Sequence, residues 1–190
     1  MNLKQTYSWI ILNGPSSENW QGVDLPGVVW GCNFAYKDFK LDHLCIVDQQ
    51  TIDSVLQNEP KIDIRVRARG RTYPKHWQGC RIPGLDAGSF ALEQSILTYP
   101  THKHIVIGGD GVLGIDHMTR YRYAWRHSQL VQAKTHKLHR TSYIQICKTH
   151  ETADVIFVSN KKEDDYFRLE DENTIRETYL ALDDEHPKHS

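Results

Sequence analysis

WIILNGPSSENW, residues 9–20, is the stretch whose reading decides the fold. A hydrophobic run, Trp9 to Leu12, stops at Asn13-Gly14-Pro15-Ser16, residues that end a strand and open a turn or a short helix. Two more apolar runs follow: Gly27 to Asn33 (GVVWGCN) and Leu44 to Asp48 (LCIVD). Each is too short for a buried helix and each ends in a polar residue, the pattern of strands in a parallel sheet covered on both faces. Ser16 to Gln21 leaves room for about one or two helical turns between the first two strands. QQTIDSVLQ after Asp48 is a helix that Asn58 and Pro60 stop.

Further along, Ile62 to Ala68 (IDIRVRA) alternates, which predicts a strand with one wet, basic face carrying Arg65 and Arg67. Gly70 to Gly84 is expected to be a loop. Gly88-Ser89 then opens FALEQSILTY, whose Leu92, Ile96 and Tyr99 form a helical apolar stripe ending before Pro100. His104 to Gly108 (HIVIG) is the next strand, closing in Gly108-Gly109-Asp110-Gly111, and Ala153 to Ser159 is the last. Gly114 to Ser142 is a basic, aromatic insertion or lid whose periodicity assigns no element. Thr174-Ile175-Arg176-Glu177 has capping-box spacing for a final helix, so that residues 170–190 form an acidic helix and tail. The absence of repeats and linkers predicts one α/β domain over residues 1–190.

The chain has 190 residues, 39% hydrophobic and 25% charged, with seven prolines, a composition that is globular rather than disordered or fibrous. No apolar run reaches the length of a membrane span, and the amino terminus lacks a signal-peptide pattern, so a cytoplasmic location is expected. Four cysteines without a CxxC pair are read as reduced. The formal net charge of −1 hides segregation: residues 61–140 carry 14 Lys and Arg against 5 Asp and Glu, and residues 151–190 carry 5 against 12. The middle of the chain therefore suits anionic groups. Arg65, Arg67, Arg69 and Arg71, with Tyr73, Trp77, Tyr121, Tyr123 and Trp125 as stacking surfaces, make nucleic acid a second partner to consider. The near-neutral total weighs against a dedicated binder. Of the eleven histidines, His102 with His104 and His136 with His139 are suggestively spaced, but no third ligand type accompanies either pair, and no metal site is expected.

In an open parallel sheet, ligands bind beyond the carboxyl ends of the strands. That edge should receive Asn13, Gly14, Pro15 and Ser16 from the first strand, Asn33 from the second and Asp48 from the third. Gly88 and Ser89 before the long helix and Asp110 after the next strand should join them. In this arrangement Gly14 offers an unobstructed backbone N–H and Ser16 a hydroxyl.

IILNGPSSENW, VVWGCNFAYKDFKLDHLCIVD and GSFALEQSILTYPTHKHIVIGGDG, in that order, resemble the Rossmann-like superfamily of bacterial, Campylobacter-type sialyltransferases. They also resemble the related pterin diphosphokinase-like proteins and uncharacterised phage and bacterial relatives. The resemblance spans residues 7–111 and, weakly, Ala153 to Ser159. It implies a Rossmann-like fold, mostly parallel with helices on both faces. It further implies a metal-independent glycosyltransferase-like activity on a CMP-sugar-type donor, with no resident cofactor. Asn13, Gly14 and Ser16 would face the nucleotide phosphate and sugar, and Asn33 the base or ribose. A histidine after the Gly-x-Asp strand would be the general base: His117, His127, His136 and His139 are the candidates, with His127, beside Arg126, favoured. Two alternatives remain. One is a Mg²⁺-dependent pterin-type diphosphotransferase using carboxylates such as Asp48 and Asp110. The other is a non-catalytic phage-like accessory protein, in the cytoplasm of an infected host cell, that binds nucleotides or nucleic acid. A homo-oligomer is compatible with each. The chain departs from the family pattern at Leu12, where the motif has its first glycine, and in the short segment after Asp110.

Overall fold

The structure, a computed structural model, describes residues 6–58, 60–80, 86–109 and 140–158. It is an α/β fold built on one sheet of seven strands. In chain order, β1 (Tyr7–Ile11) runs into a 3-10 turn (Pro15–Trp20), and β2 (Val28–Cys32) into a second one (Ala35–Lys37). Then come β3 (His43–Ile46), α1 (Gln49–Asn58), β4 (Asp63–Arg67), β5 (Gln78–Cys80), α2 (Ala87–Thr98) and β6 (Lys103–Ile107). A helix over residues 140–149, α3, and β7 (Asp154–Val158) complete it. The strand order is β5-β4-β3-β2-β1-β6-β7, and every pairing is parallel. This is the Rossmann-like arrangement expected from the pattern of short apolar runs.

Both faces of the strands are apolar because both are covered. Along β1, Ile10 and Leu12 point to one side and join Trp30, Cys32, Cys45 and Val106 under α2 and α3. Trp9 and Ile11 point to the other, with Val29, Ile105, Ile107 and Trp20. On that second side α1 inserts Ile52 and Val55 over Leu44, Ile46, Ile64 and Val66. α2 has little amphipathic character: Phe90, Ala91, Leu92 and Ile96 are buried together with Ser89, Gln94 and Ser95. A helix that is buried nearly all round lies at the centre of its layer, and α2 accordingly contacts β1, β2, β3 and β6.

α2 also sets the topology. The chain builds outward from β1 through β2, β3 and β4 to β5, then returns along α2 to place β6 on the opposite side of β1. Strand order therefore reverses between β1 and β6, the switch point at which loops diverge at the carboxyl edge.

Three expectations change. The loop expected over 70–84 contains β5, a three-residue edge strand whose Gly79 lies under the ring of Tyr73. Within the basic aromatic insertion, residues 140 onward begin α3, whose Tyr143 and Ile146 are buried. The basic face of β4 is wet only in part: Asp63 is exposed and Arg67 half-buried, but Arg65 is not open to water. Arg65 is 9% exposed, its guanidinium lying 4.7 Å over the Trp30 ring and donating to Gln94 Oε1 at 2.9 Å and Thr98 Oγ1 at 3.0 Å. Alternation predicted two-sidedness correctly, but α2 covers that face at Arg65.

Candidate functional site

The corner after β1 sits at the switch point, and backbone bonds hold it there. Leu12 N–H donates to Ile107 C=O at 2.8 Å and Gly14 N–H to Gly108 C=O at 2.9 Å, extending the parallel ladder past the ends of β1 and β6. The Gly14 N–H is therefore engaged, not unobstructed as the sequence suggested. Gly108 has φ +73°, and a Cβ there would come within 2.5 Å of the Leu12 carbonyl oxygen, so only glycine allows this approach. Ser16 is 6% exposed, and the wholly buried Ser17 donates its hydroxyl to Gly14 C=O at 2.8 Å. The turn that follows is a six-residue 3-10 segment with no side-chain cap.

Asn13 is different. Its Oδ1 is buried and has no hydrogen-bond partner among the described residues. The same holds for Asn33 Oδ1, one strand over. Asn33 adopts φ +52°, the left-handed region that asparagine tolerates better than other non-glycine residues, and its N–H donates to Cys45 C=O at 3.1 Å. A polar atom buried without a partner costs about 1–3 kcal/mol. Two such atoms stand on residues that end adjacent strands at the carboxyl edge.

The start of α2 faces the same edge. Asp86 is its N-cap, with Oδ1 accepting from Ser89 N–H at 2.8 Å, while Ser89 returns its hydroxyl to Asp86 C=O at 3.1 Å. Ser89, fully buried, therefore closes the helix end and presents nothing outward. Gly88 provides clearance, since a Cβ there would collide with Tyr143 Oη and approach Leu12 Cδ2 to 2.6 Å. Tyr143 Oη donates to Asp86 Oδ1 at 3.3 Å. Burial, then the neighbouring Asp86 charge, pushes the Tyr143 phenol well above its usual range and keeps it protonated as a donor. Asp86 Oδ2 is the third buried oxygen at this edge without a partner.

Asp48 is exposed, its carbonyl accepting from Ile52 N–H at 3.0 Å in the first turn of α1. Of Pro15, only its place at the start of the 3-10 turn is described. Asp110, the candidate bases His117, His127, His136 and His139, and the acidic segment 170–190 lie outside the described residues. Asn13, Gly14, Ser16, Asn33, Gly88 and Ser89 thus meet near one edge, but only the two asparagines keep an unused polar atom there. Asp86 and Tyr143 were missed. The Asp86-to-Ser89 spacing is a cap signature, and Tyr143, Ile146, Cys147 and His150 recur at helical spacing, so both signals were present in the sequence.

The opposite, amino edge carries a second polar cluster. His43 Nδ1 lies 2.8 Å from Asp63 Oδ2 and its Nε2 3.3 Å from Tyr99 Oη, while its ring stacks on Trp30 at 3.9 Å. Both ring nitrogens are occupied, so this histidine ties β2, β3, β4 and α2 together. A cleft of about 470 Å³ lined by Asp42, Lys61, Asp63, His76 and Trp77 opens beside it.

Among the described residues no three His, Cys, Asp or Glu side chains are grouped to hold a metal ion, and no helix is long and apolar enough to cross a membrane. All four cysteines are free, Cys32 and Cys45 buried beside one another in register. The arginine stripe is divided: Arg65 is buried, and Arg71 donates Nε to Val47 C=O at 2.7 Å. Comparison with protein-family models, with curated proteins and with solved structures finds no match to this chain.

Proposed function

We propose that this protein binds a nucleotide or nucleotide-sugar at the carboxyl edge between β1, β2 and β6, and that its activity is metal-independent glycosyl transfer from a CMP-sugar-type donor. One observation carries the binding reading: Asn13 and Asn33, ending neighbouring parallel strands beside the switch point, keep buried side-chain oxygens that no described residue satisfies. An amide offers a carbonyl and an NH₂ of nearly equal shape, so each asparagine meets either a donor or an acceptor on a base or sugar. The fold rule gives this edge to ligands, and the resemblance of the Asn13-to-Ser16 corner supplies the nucleotide class. Glycosyl transfer rests on that resemblance alone, with a histidine of the 114–142 segment as base.

The test is a thermal-shift and calorimetric screen with CMP, UDP, GDP, ATP and a CMP-sugar, each with Mg²⁺ and with EDTA. A cytidine or uridine nucleotide at 100 times its Kd should stabilise the fold by about 2.7 kcal/mol. That corresponds to roughly 5–10 °C in Tm for a chain of this size. Asn33→Ala should weaken binding about 10-fold and so roughly halve the shift at the same nucleotide concentration, and release of free CMP from the CMP-sugar in EDTA would establish turnover. Stabilisation that requires Mg²⁺ points instead to the diphosphotransferase chemistry. An oligonucleotide shift that fades with salt, with none from any nucleotide, would overturn the proposal in favour of nucleic-acid binding.

A further inference from the structure

Asp86 allows a step beyond that reading, on which it rests. Its two carboxylate oxygens differ in surroundings. Oδ1 holds the first turn of α2 through Ser89 N–H and takes the Tyr143 hydroxyl, whereas Oδ2 is buried with no donor among the described residues. The carboxylate is thus fixed in orientation by two helices, with one oxygen left over. Unlike the amides of Asn13 and Asn33, an ionised carboxylate only accepts. A phosphate cannot serve it, because both groups are anionic acceptors. The partner must bring an O–H or N–H.

Location ties this oxygen to the two asparagines. Leu12 packs under Gly88 beside Asp86 and Tyr143, and Asn13 is the next residue. Cys32 shares a buried cluster with Tyr143, and Asn33 is the next residue. Asp86 and the two asparagines thus stand at the same carboxyl edge of the sheet. A ribose hydroxyl brings such a donor, and the amides are suited to read a base edge.

We infer that Asp86 Oδ2 accepts a ribose hydroxyl of the bound nucleotide and makes the site selective for ribonucleotides over their deoxy counterparts. Asp86→Asn and Asp86→Ser both retain a capping side chain for α2. In the first an amide nitrogen replaces the accepting oxygen; in the second nothing stands there.

The experiment is calorimetric titration of the full chain and both variants with CMP, UMP, GMP and AMP and with the 2′-deoxy and 3′-deoxy forms of each. Circular dichroism and thermal melting of the variants monitor the fold. A hydrogen bond to a charged group implies a preference of about 10–100-fold for the ribonucleotide over the 2′- or 3′-deoxy form, whichever hydroxyl is bound. That preference should fall below about 3-fold in both variants, with affinity for the deoxy form nearly unchanged. Equal binding of ribo and deoxy forms by the wild-type chain would refute the inference and leave the nucleotide reading intact. So would variants that keep the preference, or that lose discrimination between bases instead of sugars. If none of these nucleotides binds, the nucleotide reading fails, and the role of Asp86 with it.

Discussion

At the scale of single residues, Gly108 and Asn33 show two uses of left-handed backbone in one small region. Gly108 adopts it to bring β6 against the Leu12 carbonyl, and the contact is too close for a side chain. Gly108→Ala combines an unfavourable φ with overpacking, and should cost roughly 2–4 kcal/mol in urea unfolding. Asn33 adopts the same region with a side chain, at a position where glycine would be more comfortable. Asn33→Gly should therefore leave stability unchanged or raise it by up to about 1 kcal/mol. Under the proposed function it should also weaken nucleotide binding about 10-fold, so calorimetry and urea unfolding should move in opposite directions. A residue that serves only the turn would lose neither.

Among the elements, α2 does the most to turn strands into a fold, and Arg65 is its cross-tie to β4. The guanidinium joins Gln94 and Thr98 on α2, packs over Trp30 of β2, and lies 3.5 Å from Asp63. Arg65→Ala should destabilise by about 2–4 kcal/mol, because it strands buried polar partners and empties packed volume. The affinity of any nucleic acid for the chain should be unaffected by this residue beyond that loss, as a filter-binding assay would register. Most elements were legible in the sequence, because a strand buried on both faces is a short apolar run wherever it occurs: YSWII, VVWGC and KHIVI each declare themselves. β5 was not, since Gln78-Gly79-Cys80 has no apolar pattern and is a strand only because β4 offers it an edge. Arg65 was misread for a related reason: alternation tells which residues share a face, not what covers that face.

For the whole molecule, His104 couples stability to pH. It is fully buried on β6, its Nδ1 3.0 Å from Ser95 Oγ, with Nε2 lacking a partner among the described residues. Burial, then the charge of His102, lowers it from 6.5 to about 4. Between those values the unfolded chain takes up a proton that the folded chain refuses. The stability this histidine provides is therefore complete above about pH 6.5 and is lost as pH falls toward 4, on the order of 3 kcal/mol in all. Urea unfolding of wild type and His104→Asn from pH 7.5 to 4.5 should give curves whose difference varies with that sign. A pH-independent difference would mean that the histidine is not neutral in the folded state.

The amino-acid sequence by itself determined the parallel, two-sided sheet and the polar residues at the carboxyl ends of its strands, because burial on both faces and chain reversal each demand particular residue types locally. It could not say which of those polar residues would be consumed by the fold. Gly14, Ser17 and Ser89 turned inward to satisfy neighbouring backbone, whereas Asn13, Asn33 and Asp86 each kept a buried oxygen unmatched. That division depends on partners brought from β6, α2 and α3, distant in the chain, so only the tertiary structure could make it: a hydrogen bond needs both of its ends in place.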